Sequence, residues 1–264
     1  MSLLDEKRLS DEAKGLFAAG GTFSWNLVST RLTQFPYFNE VLGYPSWKGR
    51  QILDFGGNVG TFLESAGDNV DHENYWCLDL NRAVVEQGRR TFPRAHFIHF
   101  DRYNPQYNPY GIRDLPIPNC GVKFDFILGF SVFTHVDLQE MISSVRVLRR
   151  MLAPSGVLAF TFLDPQYDRS FSDPSLPRGT NVLRNMGTLG ERAMVKEARW
   201  FVIIDDLLHV EPGNLVCHSR RQGKALESYC SFFTADYMQT LFPEALIREP
   251  VCGEWQHCCI IRGA

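Results

Sequence analysis

Between residues 50 and 163 the chain alternates short apolar runs with stretches whose apolar residues recur at helical spacing. Ile52–Phe55 predicts a strand, and the small residues Gly56-Gly57-Asn58-Val59-Gly60 a tight turn into a helix over Thr61–Ala66. Tyr75–Asp79 predicts a second strand. Ala83–Thr91 then predicts a helix, with Val84, Val85 and Gly88 on one side and Pro93 as its stop. His96–Phe100 reads as a third strand, followed by Asp101. The stretch from Arg102 to Pro118, rich in Pro and Asn, reads as a loop. Phe124–Phe130 is a fourth strand. Met141, Ile142, Val145, Leu148 and Leu152 put a helix over Leu138–Leu152, Pro154-Ser155-Gly156 stops it, and Val157–Leu163 is a fifth strand. Strands alternating with helices in this way predict a doubly wound parallel sheet.

The rhythm is absent on either side. Residues 2–18 predict a helix, broken by Gly20-Gly21. The aromatic segment containing Phe23, Trp25, Tyr37 and Phe38 either packs on the core or closes over a pocket. From Asp164 to Gly179 the chain is rich in Pro, Gly and Asp. A helix near Leu189–Lys196 and apolar runs at Trp200–Leu208 and Asn214–Cys217 follow. The α/β pattern returns with a helix over Thr234–Phe242, a run at Ala245–Arg248 and a strand over Trp255–Ile261. The expectation is one domain, 1–264. It has an N-terminal helical or lid segment (1–48), a core (50–163), a cap inserted after the fifth strand (164–229) and a C-terminal helix with strands (230–264).

Composition narrows the function classes. A net charge of −3 gives no electrostatic footprint for nucleic acid. No run of about eighteen apolar residues exists, so no membrane span is expected. The early charges of Asp5-Glu6-Lys7-Arg8 leave no apolar secretion core. The seven cysteines are odd in number and lack a CxxC pair, which reads as reduced thiols in a cytoplasmic protein. Cys252, His257, Cys258 and Cys259 do not have the spacing of a zinc site, and no metal is expected.

In an open parallel sheet, ligands bind beyond the carboxyl ends of the strands, where strand order reverses. Asp54, Asp79 and Asp101 stand at three successive strand ends. Asp79 lies nineteen residues beyond Gly60, the distance at which an acid ending the second strand accepts hydrogen bonds from ribose hydroxyls. Asp101 could accept from a purine amine and Asp54 from an ammonium group. Three acids would repel a pyrophosphate and suit a neutral or cationic ligand. A single acid reads first as a helix N-cap or an exposed loop carboxylate; three at successive strand ends, with the Gly-rich turn on the first, reverse that preference.

Leu53-Asp54-Phe55-Gly56-Gly57-Asn58-Val59-Gly60 resembles the first motif of the class I S-adenosylmethionine-dependent methyltransferases. The strand ends at Asp79 and Asp101, the stretch Phe124–His135 and the stretch Leu152–Leu158 resemble that family's later motifs. The resemblance implies a doubly wound, mostly parallel seven-stranded Rossmann-like sheet, with an N-terminal helical segment and a cap after strand five. It implies S-adenosylmethionine as cofactor. It also implies that Gly56, Gly57, Asn58 and Gly60 line the methionine part, with Asp54 steering the loop and its ammonium contacts. Asp79 would hold the ribose, Leu80 the adenine face, Asp101 the adenine amine with Arg102 beside it, and Phe130 and Ser131 would face the sulfonium. Asn58 departs from the family, which usually has Gly there. Asn tolerates left-handed backbone best among the other residues, and its side chain either adds a hydrogen bond or closes part of the space.

Methyl transfer is an in-line displacement in which the protein mainly orients and desolvates. A base is needed only for an acceptor that holds its proton tightly. His135, just past strand four, reads as that base or as a histidine fixing its loop. Tyr167 and Asp168 follow strand five, and His209, His218 and Tyr229 lie in the insertion. Any of these could reach an acceptor, although each taken singly reads first as packing or surface. His257 reads as structural. The acceptor is expected to be a small molecule, methylated on oxygen or nitrogen. Two rivals remain: non-methyl chemistry on the same cofactor (cyclisation or aminocarboxypropyl transfer), and a cofactor-binding interaction module. The Trp200–Ile204 run suits a docking surface or a homodimer contact.

Overall fold

The alternating core closes into one seven-stranded sheet, seen in a computed structural model that describes residues 33–164, 199–204, 207–210, 229–254 and 256–263. Helix α1 (Gln34–Val41) leads to β1 (Ile52–Phe55), α2 (Thr61–Ala66), β2 (Tyr75–Asp79), α3 (Arg82–Thr91), β3 (His96–His99) and β4 (Phe124–Gly129). After α4 (Leu138–Met151) and β5 (Leu152–Phe162) come β6 (Trp200–Ile204), β7 (Leu207–Val210) and β8 (Tyr229–Phe233). The described elements end with α5 (Ala235–Leu241), β9 (Leu246–Arg248) and β10 (His257–Arg262). The sheet order is β3-β2-β1-β4-β5-β10-β9. β1 to β5 run parallel, whereas β10 runs antiparallel to both β5 and β9.

Both faces are covered, so β1 is buried along its whole length. Alternate β1 residues serve opposite layers. Leu53 and Phe55 join Met141, Val145 and Leu148 of α4 and Met238 of α5 on one face. Ile52 joins Tyr37, Phe38 and Val41 of α1, Phe62 and Leu63 of α2 and Val85 of α3 on the other. Tyr37 and Phe38 are fully buried in that layer, so these two aromatics are core and not a gate. Three helix starts are fixed by side chains that accept from the first turn: Asn81 from Ala83 N, Asp137 from Glu140 N and Thr234 from Tyr237 N.

Several boundaries differ from the sequence reading. β3 stops at His99, one residue short. β5 begins at Leu152, directly where α4 ends. Pro154-Ser155-Gly156 therefore lies inside β5. It is accommodated by a register slip against β4 between Phe124 and Phe126 and by a left-handed Ser155 at φ 62°. The final strand covers His257–Arg262.

After β5, β6 and β7 form a separate antiparallel sheet with β8, of order β7-β6-β8. Its β6, the Trp200–Ile204 run, is paired on both sides and offers no open backbone edge. A bridge from Leu163 to Phe232 ties this sheet to the end of β5. The helix expected at residues 2–18, Phe23 and Trp25, the helix near 189–196 and the run at 214–217 lie outside the described residues. No described helix is long and apolar enough to cross a membrane.

Candidate cofactor site

The strand order reverses between β1 and β4, because the chain leaves β1 toward β2 and β3 and returns to pair β4 on the other side. The crevice beyond their carboxyl ends is thus bounded by the turn after β1 and the tip after β4.

The turn rests on a buried acid. Asp54 occupies the β1 face shared with Ile52, and its carboxyl is only 2% exposed. Its Oδ2 accepts from the Tyr75 hydroxyl at 2.5 Å. Burial pushes the Asp54 pKa up to about 7; the Tyr75 bond pulls it down and the Asp79 charge adds to the rise. Asp54 thus lies beneath Gly57 with Tyr75 as its partner, on the β1 face shared with Ile52. Gly57 lies directly on the carboxyl. A Cβ there would fall 2.5 Å from Asp54 Cγ and 2.9 Å from Cys77 Sγ.

Around Gly57 the loop is held by backbone donors. Gly56 N donates to Leu78 O at 2.7 Å and Gly60 N to Gly57 O at 2.9 Å. Gly60 caps α2 at φ 91°, a geometry that glycine adopts without penalty. Asn58 sits at φ 55°, in the left-handed region the sequence reading allowed for it. Its Oδ1 accepts from Val59 N at 2.8 Å, so its side chain braces the turn.

Asp79 ends β2 and reaches back to the same loop. Its Oδ2 accepts from Asn58 N at 2.9 Å and its Oδ1 from Asn81 N at 2.8 Å. Burial raises its pKa; the N–H groups of Asn81 and Asn58, and then His99, act against the rise. A carboxylate has about four lone-pair sites, so each oxygen keeps capacity for a further donor. Leu80 is partly buried against the α4-side core, and its carbonyl lies 3.1 Å from His99 Nε2. Asp101 is 44% exposed and accepts from Asn108 Nδ2 at 3.0 Å. Arg102 turns toward α4: it donates to Leu115 O at 2.5 Å and pairs with Glu140 at 2.6 Å. Both of those bonds take its guanidinium away from Asp101.

At the far wall, the Phe130 ring is wedged edge-on between Tyr37 and Phe38, at centroid distances of 5.6 and 6.1 Å. Its ring packs into the α1 layer, so only its backbone stands at the tip of β4. Ser131 has φ 57°; its N–H donates to Thr161 Oγ1 at 2.7 Å. His135 lies in a 3-10 turn, Phe133–His135. Its carbonyl accepts from Asn104 Nδ2 at 3.0 Å and its ring meets Tyr107 edge-on at 5.0 Å. Burial raises the Tyr107 hydroxyl well above its usual range, and the nearby charges of Cys230 and Asp79 add to this. That phenol stays a donor at neutral pH.

His257 is buried against Phe162, and burial lowers its pKa, with Asp164 and Glu249 acting against the shift. Tyr167, Asp168 and His218 lie outside the described residues, as do the side chains of His209 and Tyr229. Among the described residues no three His, Cys, Asp or Glu converge as a metal site. The residues missed by sequence reasoning are Tyr75, Asn81, Tyr107, Thr161 and Gln256. Only Asn81, as the polar residue before a periodic stretch, carried a legible signal.

A glycine turn over a neutralisable buried acid, followed by an acid with spare acceptor sites at the next strand end, suits a nucleoside with a cationic tail. Residues 53–158 match the sequence profile of the methyltransferase domain family. Residues 53–158 thus carry the match to a methyltransferase domain. The methyltransferase fold is shared with CalS10, an S-adenosylmethionine-bound amino pentose methyltransferase of calicheamicin biosynthesis from Micromonospora echinaspora. There the TM-score is 0.55 at 16% identity over 97% of each chain. It is shared with the glycopeptide N-methyltransferase MtfA bound to S-adenosylhomocysteine (TM-score 0.55, 12% identity, 96% of this chain and 98% of that one). An S-adenosylmethionine-dependent methyltransferase from Clostridium acetobutylicum is similar too (0.51, 11%, 98% and 99%). A search of curated protein sequences gives no significant match.

Proposed function

We propose that this chain is an S-adenosylmethionine-dependent methyltransferase that acts on a small molecule, at an oxygen or nitrogen atom, in the cytoplasm. The observation that carries the cofactor half of the reading is Asp79. Its carboxylate organises the glycine turn, and a carboxylate can accept more bonds than those two. In this reading Asp79 takes the ribose hydroxyls and Asp101 the adenine amine, with Leu80 on the adenine face. The backbone of Gly56, Gly57, Asn58 and Gly60 lines the methionine part, and Asp54 supports that loop from beneath. The tip at Phe130 and Ser131 bounds the sulfonium side. When bound, S-adenosylmethionine supplies an electrophilic methyl carbon. The chain's own contribution is to fix that carbon in line with the acceptor atom and to exclude water. His135 and Tyr167 are the candidates for drawing off the acceptor's proton.

The mild negative charge and the absence of a basic stripe support a small acceptor over nucleic acid. The named acceptors of the similarly folded amino pentose and glycopeptide enzymes support amine or hydroxyl chemistry. The six described cysteines are all free, which supports a reducing compartment.

The test is incubation with S-adenosylmethionine and a panel of amino sugars, phenols and short peptides, with products read by mass spectrometry. Formation of S-adenosylhomocysteine together with a methylated panel member is the expected result. Methylthioadenosine would instead establish non-methyl chemistry. Calorimetric binding of the cofactor with no product from any acceptor would favour the interaction module.

A further inference from the structure

The tip of β4 is held by a closed ring of buried contacts. Ser131 N–H donates to Thr161 Oγ1 at 2.7 Å. The Thr161 hydroxyl has one proton, and it goes to Gln256 Oε1 at 2.6 Å. The carbonyl of Gln256 accepts from the Tyr37 hydroxyl at 2.8 Å. The Tyr37 ring then packs edge-on against Phe130, the neighbour of Ser131. Thr161, Gln256 and Tyr37 are at most 2% exposed, so none of these bonds competes with bulk water. A second tie, from Thr33 Oγ1 to Glu254 Oε1 at 2.5 Å, fixes the start of α1 to the segment that carries Gln256.

The ring encloses a strained residue. Ser131 is non-glycine at φ 57°, a conformation that persists only where the surroundings over-determine it. Its surroundings are the N–H bond to Thr161 and the Phe130 ring clamped by α1. Its own carbonyl and hydroxyl meet Thr134 Oγ1 at 2.8 and 3.0 Å, which fixes the following turn. Four separate parts of the chain therefore converge on one backbone conformation: α1, the tip of β4, β5 and the entry to β10.

We infer that Thr161, Gln256 and Tyr37 are positioning residues for the cofactor, holding Phe130 and Ser131 in the left-handed tip that bounds the sulfonium side of the crevice. None of the three touches the crevice in this account; they act through the Ser131 backbone. The inference rests on the reading that this tip faces the sulfonium. It explains why a hydroxyl stands on the fully buried strand position 161, where an apolar residue would pack as well.

The experiment is calorimetric titration of the full chain with S-adenosylhomocysteine, alongside thermal unfolding. Thr161→Val should lower affinity about tenfold, because Ser131 N–H and Gln256 Oε1 both lose their buried partner. Thr161→Ser keeps the hydroxyl and should restore affinity to within about threefold of wild type. A purely structural Thr161 would shift the unfolding temperature without this rescue pattern in affinity. Tyr37→Phe breaks the ring at another bond with less risk to folding. Its effect on affinity should be less than additive with that of Thr161→Val, because one broken link already opens the ring. Wild type that binds while Thr161→Val and Tyr37→Phe bind equally well overturns the inference alone. Wild type that fails to bind overturns the cofactor reading and this inference with it.

Discussion

The backbone N–H of Asn58 donates to Asp79 Oδ2 at 2.9 Å, joining the turn after β1 to the end of β2. One carboxylate thus shapes the loop and presents its remaining acceptor sites beside it. Asp79→Ala should weaken S-adenosylmethionine and S-adenosylhomocysteine binding by roughly 2 kcal/mol or more, the scale of charge-assisted hydrogen bonds. Calorimetry on the folded variant checks this, and unchanged affinity would remove Asp79 from the site.

Asn58 at φ 55° is strained only mildly for an asparagine. Asn58→Gly should keep the turn, losing the Val59 bond but gaining backbone freedom, with stability within about 1 kcal/mol of wild type. Asn58→Val puts a β-branched residue into the left-handed region, and it should cost about 1–2 kcal/mol or displace the loop. Urea unfolding measures the first effect, and a fall in cofactor affinity reports the second.

Asp54 gives stability a defined pH dependence. Its pKa is about 7 in the folded chain against an ordinary 3.8, so the folded state binds the proton more tightly. The stability contributed by the protonated form is full below about pH 4 and is lost as pH rises through about 7. Asp54→Asn keeps an acceptor for Tyr75 but does not ionise, so it should flatten this fall. Unfolding midpoints in urea from about pH 5 to about pH 8 should drop in wild type and stay more level in the variant. Asp79, whose pKa is raised in the same direction, leaves a residual slope in both.

Gly57 has no room for a side chain above Asp54. Gly57→Ala should destabilise by about 1–3 kcal/mol through overpacking. Combined with Asp54→Ala, which opens the space beneath, its cost should shrink, giving a coupling of about 1 kcal/mol in a double-mutant cycle. Strictly additive effects would show that the loop relaxes elsewhere.

The sheet was legible in the sequence because β1, β4 and β5 are mostly apolar runs and the longer helices carry a face at helical spacing. Ile52–Phe55 and Tyr75–Asp79 have the boundaries that patterning gave. Their carboxyl ends, and with them the crevice, follow from strand order alone. The direction of the Asp54 side chain was less legible, because a carboxylate signals chemistry as readily as support. Its true partner, Tyr75, is twenty-one residues away on the next strand. The Arg102 partner Glu140 was equally hidden, since it sits on a helix well beyond it in sequence. The Pro154-Ser155-Gly156 stretch looked like a stop and is a bulge, since pairing to β4 overrides local turn preference. Thr161 and Gln256 carried no local signal at all, because only the antiparallel placement of β10 brings them together.

That placement has a consequence for how the chain is made. β10 lies between β5 and β9, and the contact between Thr161 and Gln256 spans 95 residues of sequence. Until β10 inserts, β5 has its β4 partner and an unpaired backbone edge on the other side. Such an edge invites pairing with other nascent chains. The long closure also delays completion of the sheet relative to the local β1–α2–β2 unit. Insertion of residues 246–262 is therefore the step that covers this edge.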